Sequence, residues 1–306
     1  MRVSVITDSA ASLPEPLAER AGISVIPLEL VVGGKPYHDG DLPLEEVLAH
    51  IDEGVTTSSP SPGRIAKAIE DRLEDSDATL VLTIARRMSS TYEAARLAAR
   101  TVNGCARVVD TETAAGAEGL VVLHAARIAA RGGDLDDVTR AAREAIDRVR
   151  LVATVDSLDH LVAGGRVPEV AGRAGRFFGV HPMFEFGRGR VRPLRPALSR
   201  EAAIERIVGL WRRSIVPGAA LHVAALHAND PARAGQLLTS VQAEVEPATA
   251  FVAEFSTVMI AHTGPGLAGL AWWWEPSEPG QEPAPDVAMA HSTAWQTGSS
   301  AAVENA

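Results

Sequence analysis

The chain holds a single cysteine, Cys105, so no internal disulfide can form, and a lone thiol of this kind fits a reducing compartment as a small buried apolar residue. Positive charge is also scarce. Lys plus Arg number 29 against 39 Asp plus Glu, a net charge of −10 with a pI near 5.4. That balance repels a phosphate backbone, and with no basic run and no C-x-x-C pair it excludes nucleic acid as an expected partner. No stretch reaches the roughly 20 consecutive apolar residues of a membrane span. The opening MRVSVITDSA has neither the long apolar core nor the small-residue cleavage site of a signal peptide, which implies a cytoplasmic location. The nine His are scattered without zinc-site spacing, and there is neither a G-x-S-x-G elbow nor a P-loop, so no metal and no cofactor are expected.

What is present is a globular α/β pattern, with 46% hydrophobic residues and enough length for two ordinary domains. RVSVI (2–6), SVIPLELVV (24–32), ATLVLTI (78–84), ARVVD (106–110) and LVATV (151–155) have the Val, Ile and Leu content of buried strands. Between them STYEAARLAARTV places Tyr92, Ala95, Ala99 and Val102 on one helical face, and GAEGLVVLHAARIAA (116–130) reads as a buried helix. The alternation predicts a layered domain over 1–155 with a largely parallel sheet. Over 156–274 the grammar changes. HPMFEFGRGRVRPL (181–194) reads as an antiparallel pair around a Gly-Arg-Gly turn, followed by helix, strand, helix, strand and a final run LAGLAWWW: a second α/β domain with a mixed or antiparallel sheet. Residues 275–306 have no Lys or Arg and no period, and are expected to form a mobile acidic tail.

Three polar clusters stand out. In TTSSPSPGRI (56–65) Ser59 or Ser61 can cap a helix whose first position is Pro, which leaves the remaining hydroxyls of a polar loop unexplained. In ARRMSSTYEAA, Ser90 and Glu93 have capping-box spacing, and Ser89 and Thr91 flank the cap at the end of a strand, where open α/β sheets bind ligands. In AHTGPGLAGL, Gly264, Gly266 and Gly269 match G-x-G-x-x-G, but Pro265 inside the turn and the absence of a following acidic strand end remove the dinucleotide reading, leaving His262 and Thr263 on a Gly-rich turn. Asp8, at the end of the first strand, suits a cap or, in an alternative reading, a small hydrolase or phosphotransferase that uses Asp8 or Ser89 with His262.

In chain order VITDSAASLP, TSSPSP, RRMSSTYEAA, VVDTETA, LDHLVAGGRV, HANDP and AHTGPG resemble the DegV family, fatty-acid-binding carrier subunits of the bacterial fatty acid kinase, over Met1 to about Trp274. The resemblance implies the two-domain DegV-like fold and, as ligand in place of any cofactor, a long-chain fatty acid in a tunnel at the domain junction. It implies that Thr57, Ser89 and His262 hold the carboxylate, with Ser58, Ser90 and Thr263 as a secondary pocket. It also implies a non-catalytic carrier: a separate kinase subunit, the second expected partner, phosphorylates the bound acid. Ser59 stands where the family usually has Gln and Ser90 where it has Gly, so a differently shaped head-group pocket is expected.

Overall fold

The computed structural model describes residues 1–102, 104–167 and 180–276. Its first sheet is built of β2 (Ile23–Ile26), β1 (Val3–Asp8), β6 (Ala78–Thr83) and β7 (Ala106–Asp110), in that order and all parallel. Every residue of β1 and β6 is buried, as the central strands of a parallel sheet covered on both faces must be. On one face Ile6 and Val81 pack against α3 (Pro62–Leu73) and α4 (Thr91–Ala99) through Ile65, Ile69, Ala95 and Ala98. On the other face Val5, Leu80 and Leu82 meet α5 (Ala115–Ala130) and α6 (Leu135–Arg148).

The second sheet has six strands in the order β10 (Arg190–Ala197), β9 (His181–Gly187), β8 (Arg150–Thr154), β13 (Ala268–Glu275), β11 (Ala220–His227) and β12 (Thr249–Glu254). Only β11 and β12 run parallel; the other neighbours are antiparallel, the mixed sheet the sequence predicts. Helices α8 (Arg200–Arg212) and α9 (Pro231–Gln242) cover its outer face through Ile207, Trp211, Leu237 and Val241. Its inner face, with Leu151, Phe251, Ala271 and Trp273, shares one continuous core with α5 and α6. The α5–α6 layer therefore serves both sheets, and two glycines let α5 fit. A methyl on Gly116 would lie 2.7 Å from Ala224 Cβ, and one on Gly119 would lie 2.9 Å from the Ala11 carbonyl.

Four features differ from the sequence expectation. The run 24–32 is two strands, because Pro27 has no N–H to continue a ladder; the chain leaves the parallel sheet there and forms β3 (Glu29–Val32). Antiparallel to β3 lie β4 (Lys35–His38) and β5 (Thr56–Ser58), a three-stranded sheet in which the expected hydroxyl loop is itself a strand, with Leu30 opposite Thr57. Strand β8, inside the span expected for the first domain, pairs in the second sheet. Glu275 ends β13 with its carboxylate bonded to Arg127 and to His222 Nε2 (2.9 Å), so the span assigned to the tail begins one residue inside the fold; 277–306 lie outside the described residues.

Candidate functional site

Thr57, half-buried between exposed neighbours on β5, points to the last turn of α10 (Thr257–Thr263), where its Oγ1 and His262 Nε2 form a hydrogen bond of 2.7 Å. His262 is thus on a helix rather than on the expected turn; the glycine turn begins at Gly264, which ends the helix at φ +69°. The imidazole is seated by a reciprocal fit. Helix α7 (Asp159–Ala163) ends at Gly164, where a Cβ would be 2.8 Å from His262 Nδ1, while His160 of α7 occupies the space a Cβ on Gly264 would need. The motifs LDHLVAGGRV and AHTGPG are therefore two halves of one joint.

Strand β6 delivers the second hydroxyl group. After Thr83 the chain turns, with Met88 and Ser89 N–H both donating to the Ala85 carbonyl, and α4 begins. The expected capping box does not form: Ser90 occupies the cap position without a side-chain cap bond, and its hydroxyl instead bonds Ser59 Oγ at 2.9 Å. Ser89 Oγ takes over the local role by accepting from Thr91 N–H at 3.2 Å and bonding Thr91 Oγ1 at 2.8 Å. Ser61, not Ser59, caps α3 ahead of Pro62. Ser59 and Ser90, two of the serines of the separate clusters 56–61 and 89–91, thus bond each other.

Thr57, Ser58, Ser89, Ser90 and His262 line one polar cavity of about 410 Å³. Beside it lies an apolar cavity of about 90 Å³ walled by Leu151, Leu161, Phe184, Phe186, Val191 and Phe255, the junction of β8, β9 and β10 with the ends of the first sheet. Thr263 lines this second cavity, its hydroxyl donating to the Met259 and Gly264 carbonyls. Ile84, Met88, Arg166, Met259 and His262 line both cavities. Burial first, and the positive charge of Arg166 second, lower the His262 pKa to about 4, so the ring is a neutral donor and acceptor near pH 7.

Sequence reasoning missed the arginines. Arg86, Arg87 and Arg166 all face the polar cavity; Arg86 pairs with Asp110, while Arg166 is half-buried, donates to the Gly164 carbonyl and has no carboxylate partner among the described residues. The signal is available in the sequence, where Arg166 is the one charged residue of LVAGGRV. The groups of the alternative enzymatic reading are not joined. Asp8 is buried away from both cavities with its oxygens accepting from Ala10 and Ile84 N–H, and Ser89 bonds Thr91 rather than His262. Among the described residues there is no cluster of His, Cys, Asp or Glu suited to a metal ion, and no helix long and apolar enough to cross a membrane.

The family model described as "Uncharacterised protein, DegV family" matches residues 2–275. A DegV domain-containing protein of Streptomyces coelicolor is 33% identical over 273 residues, covering 88% of this chain and 97% of the relative. The protein named fatty acid-binding protein in Thermotoga maritima is 29% identical over 280 residues, covering 88% of this chain and 97% of the relative. A solved DegV family protein from Thermus thermophilus, described by its fatty acid binding, superposes with a TM-score of 0.83 at 29% identity, covering 90% of this chain and all of that one, 100%. With the family model matching residues 2–275, a relative 33% identical over 88% of the chain and a solved relative superposing at a TM-score of 0.83, the chain belongs to the DegV family.

Proposed function

We propose that this protein binds one long-chain fatty acid, carboxylate in the polar cavity and alkyl chain in the apolar cavity, and presents the acid to a separate kinase subunit for acyl-phosphate formation. One observation carries the reading: His262 and Arg166 stand on the boundary between a cavity walled by hydroxyls and one walled by Leu and Phe. An amphiphile is the ligand class that satisfies both sides of such a boundary. The fatty-acid binding of the Thermus and Thermotoga relatives supports the same class.

Magnitudes assign the roles. About 14 methylenes at about 0.8 kcal/mol each offer on the order of 11 kcal/mol of gross burial, realised in full only once the Leu and Phe walls of the apolar cavity part beyond its about 90 Å³ to admit the chain. A hydrogen bond to a carboxylate adds roughly 1.5–3 kcal/mol. The chain therefore dominates affinity, while Thr57, Ser89, His262 and Arg166 fix which end faces out. Ser58, Ser90, Arg86 and Arg87 are exposed, so a carboxylate held there lies within reach of a second protein's active site. Titration with palmitate and with methyl palmitate tests the binding half: the acid binds and the ester binds more weakly, whereas failure of both to bind refutes the reading. Addition of a bacterial fatty acid kinase catalytic subunit and ATP tests presentation, with acyl phosphate forming only when this chain is present.

A further inference from the structure

The small sheet β4–β3–β5 touches α10 at both ends. At the last turn Thr57 of β5 bonds His262. At the first turn Asp39, the residue after β4, accepts at Oδ1 from Thr257 Oγ1 (2.8 Å) and from Val258 N–H (3.1 Å). Its Oδ2 accepts from Ser9 Oγ (2.5 Å), which in turn accepts from Leu28 N–H (3.1 Å), and Asp39 N–H donates to the Leu28 carbonyl (2.8 Å). One carboxylate thus ties the loop after β1, the break between β2 and β3, and the helix that carries His262, across 218 residues of chain.

We infer that Asp39 is a positioning residue for the head-group end of the ligand site, holding the first turn of α10 so that His262 stands within reach of Thr57. Helix α10 has seven residues, about 10 Å of rise, so a shift at its first turn is carried to its last with little to absorb it. A carboxylate accepting two donors at a helix start, one of them a free backbone N–H, is a strong local restraint. The other cap, Ser256, accepts from Met259 N–H at 3.5 Å, the longer and weaker contact. Asp39 lines neither cavity, so its effect on a ligand passes through His262.

The inference rests on the fatty-acid reading of the site, and its test separates the two. Affinities for palmitate and for cetyl alcohol, which shares the chain and lacks the charge, are measured for wild type, Asp39→Ala, Asp39→Asn, His262→Ala and the Asp39→Ala/His262→Ala double variant. The expected result is a loss of about tenfold for palmitate in Asp39→Ala, under about twofold for the alcohol, partial rescue in Asp39→Asn, and no further palmitate loss from Asp39→Ala once His262 is gone. Equal losses for acid and alcohol, an unchanged palmitate affinity in Asp39→Ala, or additive losses in the double variant overturn the inference while leaving the site intact. An unchanged palmitate affinity in His262→Ala overturns the reading of the site and the inference with it. If Asp39→Ala does not fold, Thr257→Val, which removes one of the two donors, gives the same comparison with a loss of about threefold for palmitate alone.

Discussion

Gly164 and His262 are in such close contact that a single methyl on the glycine would stand 2.8 Å from the imidazole Nδ1. Such an approach has to be relieved by moving the ring, and the ring's other nitrogen is the one bonded to Thr57. Gly164→Ala is therefore expected to weaken palmitate binding by about tenfold, as His262→Ala does, with a fall in melting temperature of only a few degrees. Calorimetric titration beside a thermal melt checks this; an alanine variant with wild-type affinity would show that the ring has room to spare.

Substitutions at the two cavities separate head-group capture from chain burial. Thr57→Ala and Ser89→Ala each remove one neutral hydroxyl and are expected to weaken palmitate by about fivefold, near 1 kcal/mol. Val191→Trp, which fills the cavity of about 90 Å³, is expected to abolish binding of acid and alcohol alike. Wild-type affinity in all three variants, measured by the same titration, removes both cavities from the binding site.

His262 is held neutral, so its titration is displaced. Nuclear magnetic resonance of the imidazole in the ligand-free protein is expected to give a midpoint near 4 rather than 6.5. Arg166→Gln raises that midpoint only part of the way back, because burial is the larger cause and the arginine's charge the smaller. A midpoint near 6.5 in the unsubstituted protein would mean that the ring is solvated.

Two buried acids make stability fall as pH rises toward and through neutrality. Burial pushes Asp8 up to about 7 against the N–H bonds from Ile84 and Ala10, and pushes Glu118 well above the ordinary range, with the charge of Asp8 adding to it and Thr7 opposing it. Both hold protons when folded that the unfolded chain has released, so their contribution is full below the ordinary carboxylate pKa and is lost as pH rises through the folded values. His124 and His262 act oppositely but only below about pH 6.5. Urea unfolding from pH 6.5 to 8.5 is expected to show stability falling by up to about 1.4 kcal/mol per pH unit from Glu118, with Asp8 adding its share only up to about pH 7, and a flatter profile in Glu118→Gln. An unaltered slope in that variant contradicts a protonated Glu118.

The layered architecture was legible because burial periodicity is local: the Val-, Ile- and Leu-rich β1 and β6 and the helix over 115–130 announce themselves within a few residues. The small sheet was not, since β4 and β5 are short and polar and owe their strand form to pairing with β3 rather than to any pattern of their own. The same holds at the site. Thr57, Ser89 and His262 could be picked out as surplus hydroxyls and a lone imidazole, and all three line one cavity. Arg166 is visible as the one charged residue of LVAGGRV, but its place beside His262, and that of Asp39 at the other end of the same helix, come only from the fold.

Native mass spectrometry of the purified protein, before and after incubation with palmitate, shows whether a long acyl chain occupies the two cavities. The expected result is a mass excess matching one long-chain fatty acid per chain, retained under gentle ionisation, together with a melting temperature that rises with added palmitate because a ligand of the folded state stabilises it. A bare polypeptide mass in both samples, with an unchanged melting temperature, would contradict the fatty-acid reading.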